Sequence, residues 1–312
     1  MVRKAVLDVG SNSVLLLVEE RDADGWRVVH ESTAVTALGE GTRQSGALSE
    51  EAMVRTLAAM RRFFDEAARH GASEVLAAVT MAGRIARNTS DFLARAEAQG
   101  TPAFVLSGED EAQLGFLAVA HDPALGDVPR ISIIDVGGHS TELVTADRDL
   151  SEPDGWRVRF RRSFPIGTLA MLGGEFGVEC PDFPLRLKAA AEIDDQIGMG
   201  YRPGEAGLPV ALGATGTNLV ALREKMTVWD PARVHGAVLL YEEISRAVAW
   251  LSELTLSERA ALPGMEPGRE KTIHAGALIL ERFLFALRED EVRVSVRGWR
   301  HALLERGLPG AR

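Results

Sequence analysis

Two stretches of the chain carry the same succession of apolar and polar positions. The first runs from Ala5 to Leu7 into Asp8-Val9-Gly10-Ser11-Asn12-Ser13, then Val14 to Val18, a polar loop holding Asp24-Gly25-Trp26, and Arg27-Val28-Val29. The second runs from Ile131 to Ile134 into Asp135-Val136-Gly137-Gly138-His139-Ser140, then Leu143-Val144, a loop holding Asp154-Gly155-Trp156, and Arg157-Val158. Asp8 and Asp135 stand 127 positions apart. A repeated strand, glycine turn, strand, loop and strand predicts a duplicated domain core. After the first unit, Met53, Leu57, Met60, Phe64 and Ala67 recur at helical spacing behind Ser49 and two acids, which predicts an amphipathic helix capped by that serine and ending near Gly71. Strands follow at 74–80 and 103–106, helices at 90–99 and 109–120. In the second half the pattern predicts helices near 184–197, 236–252 and 270–288 and a strand at 209–212. Strands alternating with helices define an α/β protein. Pro123, Gly126 and Pro129 punctuate the join, giving domains 1–122 and 123–312.

Composition changes this picture little. The chain has 312 residues, 46% hydrophobic and 26% charged, enough to fill two cores and unlike a disordered chain. A formal charge of −10 argues against sequence-independent binding of nucleic acid or an anionic membrane. Cys180 is the only cysteine, which removes disulfides and thiolate metal clusters and fits a reducing cytoplasm. Asp8, Glu19 and Glu20 interrupt the first apolar runs, so neither a signal peptide nor a membrane span is expected there.

The two glycine turns are where chemistry is expected. A strand ending in aspartate, then Gly10-Ser11-Asn12-Ser13 or Gly137-Gly138-His139-Ser140, brings backbone N–H groups and hydroxyls onto an anion because glycine permits close approach. Gly213, Thr215, Gly216 and Thr217, after the apolar strand Val210 to Leu212, form a third loop of the same kind. Each alone is an ordinary tight turn; three in a duplicated frame point to phosphate. Asp8 and Asp135, with Glu142 beside the second turn, are the candidate ligands for Mg²⁺, or Mn²⁺ in its place, since such hard cations take carboxylate and phosphate oxygens.

Duplicated turns of this kind resemble the actin-like ATPase superfamily. More closely, Asp8 to Ser13, Leu38-Gly39-Glu40-Gly41, Leu48-Ser49-Glu50-Glu51-Ala52, Ser107-Gly108-Glu109-Asp110-Glu111-Ala112 and Asp135 to Leu143 together resemble the exopolyphosphatase and guanosine pentaphosphate phosphohydrolase family, over nearly the whole chain. The resemblance implies two actin-like, ribonuclease H-like domains with a cleft between them. It implies Glu111 as the catalytic carboxylate. A general base there fits a hydrolysis that needs an oriented water and positive charge on the phosphoryl oxygens. The segment Thr80 to Asn88 resembles a family motif in which Arg84 would neutralise substrate phosphate, with Asn88 one turn further along if the segment is helical. Ala275-Gly276-Ala277 resembles a late helix motif.

The chain departs from the family's pattern at four places. His139 replaces the third glycine of the second turn, Ala37 an arginine before Leu-Gly-Glu-Gly, Thr272 an aspartate before the late helix, and Val296 an acid before Arg-Gly. The expected reaction is removal of terminal phosphate from inorganic polyphosphate. Guanosine pentaphosphate is the alternative substrate, a non-catalytic phosphate or nucleotide sensor the alternative class, and an actin-like small-molecule kinase a third reading. A homodimer is compatible with this reading. Arg157, Arg159, Arg161 and Arg162 alternate along a predicted strand, the first three on one face, as a track for a polyanion or as the guard of an exposed edge. Trp229, Trp250 and Trp299 read as core or helix-packing residues.

Overall fold

A computed structural model describes residues 2–23, 25–122, 127–138, 140–177, 179–198, 200–202 and 204–308. His139, Asp24, Pro123 and Gly126 lie outside the described residues.

The first sheet is built from β1 (Val2–Val9), β2 (Ser13–Arg21), β3 (Trp26–Val35), β4 (Glu74–Val79) and β5 (Phe104–Val105), in the order β3-β2-β1-β4-β5. The second uses β6 (Arg130–Val136), β7 (Thr141–Arg148), β8 (Trp156–Phe164), β9 (Leu208–Leu212), β10 (Val238–Leu240) and β11 (Glu291–Val294), in the order β10-β11-β9-β6-β7-β8. Setting aside the edge strand β10, the two orders are the same, with an antiparallel three-strand meander and parallel strands beside it. The likeness extends to a defect. The β2–β3 register slips between Val18 and Glu19, and the β7–β8 register slips between Thr145 and Ala146, the same 127-residue offset as the aspartates. A bulge repeated at one step marks a duplicated backbone rather than two convergent sheets.

Each sheet owns a core. Ala5, Leu7 and Val9 of β1 and Val14, Leu16 and Val18 of β2 are sealed under Met53, Leu57, Met60 and Phe63 of the helix Glu50–Arg69. Ser49 Oγ accepts from the Ala52 amide at 3.2 Å, the expected N-cap. In the second core the helix Ile273–Leu287 is buried on nearly every side. Gly276 permits this: a Cβ there would lie 2.5 Å from Thr215 Oγ1 and 3.3 Å from Thr168 Cγ2. The predicted helix at 236–252 begins only at Tyr241, because 238–240 form β10, and β11 was not expected. Both strands are too short for a periodic signal.

The chain divides into two compact units, Met1–Ala118 with Trp299–Arg312, and Val119–Gly298. This differs from the expected domains 1–122 and 123–312 at the C-terminus. The helix Trp299–Arg306 buries His301, Ala302, Leu303 and Leu304 and packs against β1 and β2, so it belongs with the first sheet. Among the described residues no helix is long and apolar enough to cross a membrane.

The arginines of β8 are also rearranged. The bulge at Arg159 puts Arg157 opposite Asp147 and Arg161 opposite Val144, hence on different faces, so the three do not share one. Arg157 pairs with Asp149 at 2.5 Å and Arg159 with Asp147 at 3.0 Å. β8 is an edge strand, and these pairs fit the guarding of an edge.

Candidate functional site

The first glycine turn is closed by the Gly10 amide donating to Ser13 O at 2.9 Å. Its outer carbonyls are taken by the segment that follows β3. Thr36 and Ala37 amides donate to Asn12 O, and the Gly39 amide to Ser11 O at 2.8 Å. A Cβ on Gly39 would come 2.7 Å from Ser11 Cβ, which explains a glycine in Leu38-Gly39-Glu40-Gly41. Ala37 adopts φ 51°, a left-handed conformation that costs a non-glycine residue about 1 kcal/mol. The turn is therefore buttressed from behind, and Ser11, Asn12 and Ser13 lie at least partly exposed.

Asp8 is the penultimate residue of β1, just before this turn. Its Oδ1 is buried and has no hydrogen-bond partner. Burial pushes the carboxyl up to about 7; Arg300 pulls it down, Glu111 raises it, and Arg84 and a hydrogen bond from the Trp299 side chain lower it. These groups come from three elements of the first unit. Arg84 stands in the helix Met81–Ile85; Glu111 lies in the first turns of the helix Gly108–Ala120; Trp299 and Arg300 open the C-terminal helix. Ser107 caps the helix of Glu111, its Oγ accepting from the Asp110 amide at 3.0 Å, and the Glu111 amide donates to Ser107 O. Arg84 Nη1 donates to Glu111 Oε2 at 2.6 Å and to Leu106 O at 2.9 Å. The predicted base and the predicted phosphate ligand thus form an ion pair beside Asp8.

Asn88 is not one turn beyond Arg84. The helix stops at Ile85, Ala86 is extended, and Asn88 precedes a new helix. Its amide accepts from Leu48 N at 2.9 Å and donates to Leu48 O at 3.0 Å, holding the loop ahead of Ser49.

The second turn repeats the first. The Gly137 amide donates to Ser140 O at 2.9 Å, the Thr168 amide to Gly137 O, and the Leu169 and Ala170 amides to Gly138 O. Asp135 is the penultimate residue of β6, opposite Glu142 in the β6–β7 register, so both carboxylates share a face of the sheet. Ser163 Oγ donates to Glu142 Oε1 at 2.7 Å. Of the third loop, Gly213 (φ 79°) lies nearest: a Cβ there would be 3.1 Å from Asp135 Oδ1. The helix Ala214–Arg223 starts at this glycine without a side-chain cap, which leaves its first amides facing the same end of β9. Thr215 is buried under Gly276, Gly216 packs on Ala211 and Val294, and the Thr217 hydroxyl donates to Ala214 O at 3.3 Å. Gly216, the Thr215 side chain and the Thr217 hydroxyl thus build the helix, while the backbone at Gly213 faces Asp135.

For a cation the arrangement offers Asp8 in one unit and Asp135 with Glu142 in the other. Among the described residues no three His, Cys, Asp or Glu side chains gather as a metal cage. The sequence reading missed Trp299 and Arg300. The adjoining Arg297-Gly298 was its only pointer to them.

The profile of the Ppx/GppA phosphatase family matches residues 17–310. The chain belongs to that family. Exopolyphosphatase 2 of Mycobacterium tuberculosis is 28% identical to it over 312 residues, covering 95% of each chain. Exopolyphosphatase 1 of the same organism is 31% identical over 317 residues, covering 98% of this chain and 88% of that one. The crystal structure of the Aquifex aeolicus Ppx/GppA member superposes with a TM-score of 0.82 at 28% identity, over 97% of this chain and 96% of that one. An exopolyphosphatase from Cytophaga hutchinsonii shares the fold at a TM-score of 0.82 and 20% identity, over 97% and 96% of the two chains. The two-sheet α/β architecture is that of Ppx/GppA proteins, and membership makes the chain a phosphoanhydride hydrolase.

Proposed function

We propose that this Ppx/GppA protein is an exopolyphosphatase releasing terminal phosphate from inorganic polyphosphate. The observation that carries the reading is the pairing of Glu111 with Arg84 beside Asp8, whose buried Oδ1 lacks a partner. In the resting protein Arg84 is spent on Glu111 and the Leu106 carbonyl. An arriving phosphoryl group is a better partner for its planar fork, because it carries more charge and accepts two parallel bonds. Transfer of Arg84 to the substrate releases the Glu111 carboxylate to accept a proton from the attacking water. The turns at Gly10 to Ser13 and Gly137 to Ser140, with the Gly213 backbone, hold phosphate oxygens.

Asp8 in the first unit, and Asp135 with Glu142 in the second, are the carboxylates that would take up Mg²⁺. A sealed carboxylate oxygen with no donor suits a hard cation. When bound, such an ion neutralises charge on the phosphate oxygens.

Phosphate release is to be compared on polyphosphates of several lengths and on guanosine pentaphosphate, with Mg²⁺, with Mn²⁺ and with chelator. Polyphosphate turnover lost with chelator supports the reading. Faster release from guanosine pentaphosphate moves the substrate, and no release from either leaves a binding protein.

A further inference from the structure

The second unit carries a groove of about 240 Å³ between the helices Ala214–Arg223 and Tyr241–Glu253. Its floor is aliphatic, made by the buried side chains of Leu219, Leu222, Leu239 and Ile244. It lies on the second half of the helix Ala214–Arg223, whose start faces Asp135, so it is separate from the glycine turns. β10 forms one wall and is an edge of its sheet. That edge is closed to a further strand: Arg223 Nη1 donates to Val238 O at 2.6 Å, and Glu243 Oε2 accepts from the Leu240 amide at 2.9 Å. Arg223 and Glu243 also stand 3.6 Å apart and balance each other's charge. Arg246 and Trp250 remain. They sit one helical turn apart at the rim, both exposed, and among the described residues neither makes a hydrogen bond, an ion pair or a ring contact.

The structure assigns this groove to a small ligand of two fused aromatic rings bearing one acid group. Its volume sets the rings, since a dry cavity of about 150 Å³ already takes benzene. The Trp250 indole supplies a flat wall beside the aliphatic floor, which favours an aromatic ring over an alkyl chain of the same area. The acid group answers Arg246, whose planar fork holds no carboxylate and can donate two parallel bonds to one. A ligand without rings would leave the floor wet, and an extended peptide would find the β10 edge taken.

The probe is 2-naphthoate, with 2-naphthylmethanol as its uncharged counterpart, each titrated by calorimetry into the full chain and into single variants. The parent should bind the acid about tenfold more tightly than the alcohol, the lower end of what a hydrogen bond to a charged group contributes. Arg246→Gln should remove that preference and leave the alcohol's affinity where it was. Trp250→Ala should weaken both ligands about tenfold, the scale of a lost aromatic contact. Ala247→Phe, which fills the groove, should abolish both. Arg246 and Trp250 are exposed, so their replacements should keep the parental melting temperature; if Ala247→Phe does not fold, these two decide. Saturating polyphosphate should leave the affinity for 2-naphthoate unchanged. No binding of the acid at about 1 mM, or equal affinity for acid and alcohol, overturns the assignment. Binding of the acid that Arg246→Gln and Trp250→Ala both leave intact overturns it too, as does displacement by polyphosphate, which would put the anion at the glycine turns. Sedimentation is run alongside: a dimer that Trp250→Ala disperses gives the groove to a second copy of the chain and likewise overturns the proposal.

Discussion

The turn after Asp8 and the turn after Asp135 have the same closing hydrogen bond, backbone amides that buttress each from behind and the same bulge further along the hairpin, yet their surroundings differ. Asp8 is ringed by Arg84, Glu111, Trp299 and Arg300, and has a buried oxygen without a partner. Asp135 faces a helix start at Gly213 and shares its sheet face with Glu142. The backbone turn recurs in both copies, and in the first it stands beside a carboxylate paired with a guanidinium, Glu111 with Arg84. Backbone geometry is inherited with the fold; reactive side chains are added to it one residue at a time.

The largest expected break of this contrast is Asp8→Asn. It should cut turnover by at least about 10²-fold, the scale of losing a bound cation's contribution. Metal-free stability should move the other way. A carboxyl raised to about 7 takes up a proton on folding, so its charge costs stability that grows as pH rises from about 4 to about 7 and stays lost above. Chelator-treated Asp8→Asn should therefore melt several degrees higher than the parent at pH 8 and show little gain at pH 4. A lower melting temperature at pH 8 would contradict a net cost of burying the Asp8 charge.

The second unit holds the opposite device. His274 is buried, accepts from Arg259 and stacks on Phe176, and burial, with the Arg259 charge second, pushes it down to about 3. Between that value and its ordinary 6.5 only the unfolded chain binds the proton, so this histidine withdraws stability as pH falls through the window, by a few kcal/mol near pH 4. Amide exchange should show the second unit loosening on acidification, and His274→Gln should flatten that response. An unchanged acid response in the variant would remove His274 as its source.

The twin turns can be compared directly. A Cβ on Gly137 would lie 2.8 Å from Ser140 O, and one on Gly10 3.1 Å from Ser13 O. Gly137→Ala should cost about 1–3 kcal/mol and Gly10→Ala less, both read by denaturant unfolding. Equal costs would mean that the two turns relax alike. The smallest effect is expected of Arg157→Gln with Arg159→Gln: exposed ion pairs contribute about 0–1 kcal/mol, and KM for long polyphosphate should not change. A raised KM would return the row to the substrate.

Much of this was legible in the sequence because the duplication repeats local patterns. The strands β1, β2, β6 and β7 show as apolar runs around Asp-x-Gly, and Ser49 marks its helix. β10 and β11 were not legible, being three and four residues long, nor was the bulge at Arg159, which leaves the alternation of arginines intact in the sequence while rotating them in space. The pairing of Glu111 with Arg84 could be expected only from resemblance, since 27 residues separate them. Trp299 reads in the sequence only as a packing residue and Arg300 gives no signal: a helix at the end of the second half returns to the first sheet, a contact across nearly the full length of the chain. His139, Thr272 and Val296 depart from the family's pattern; Thr272 opens the buried helix and Val296 packs at the second core.

The central claim is that hydrolysis depends on the carboxylate of Glu111, and it is tested by turnover of Glu111→Gln at saturating polyphosphate, with polyphosphate affinity measured alongside. Glutamine keeps the size and removes the basicity. Turnover should fall about 10²–10⁴-fold, the contribution of a positioned base, while affinity holds or tightens because Arg84 is freed for phosphate and a repelling charge is gone. Turnover near the parental rate would contradict the assignment, and Glu109, Asp110 or Glu142 would have to carry the reaction instead.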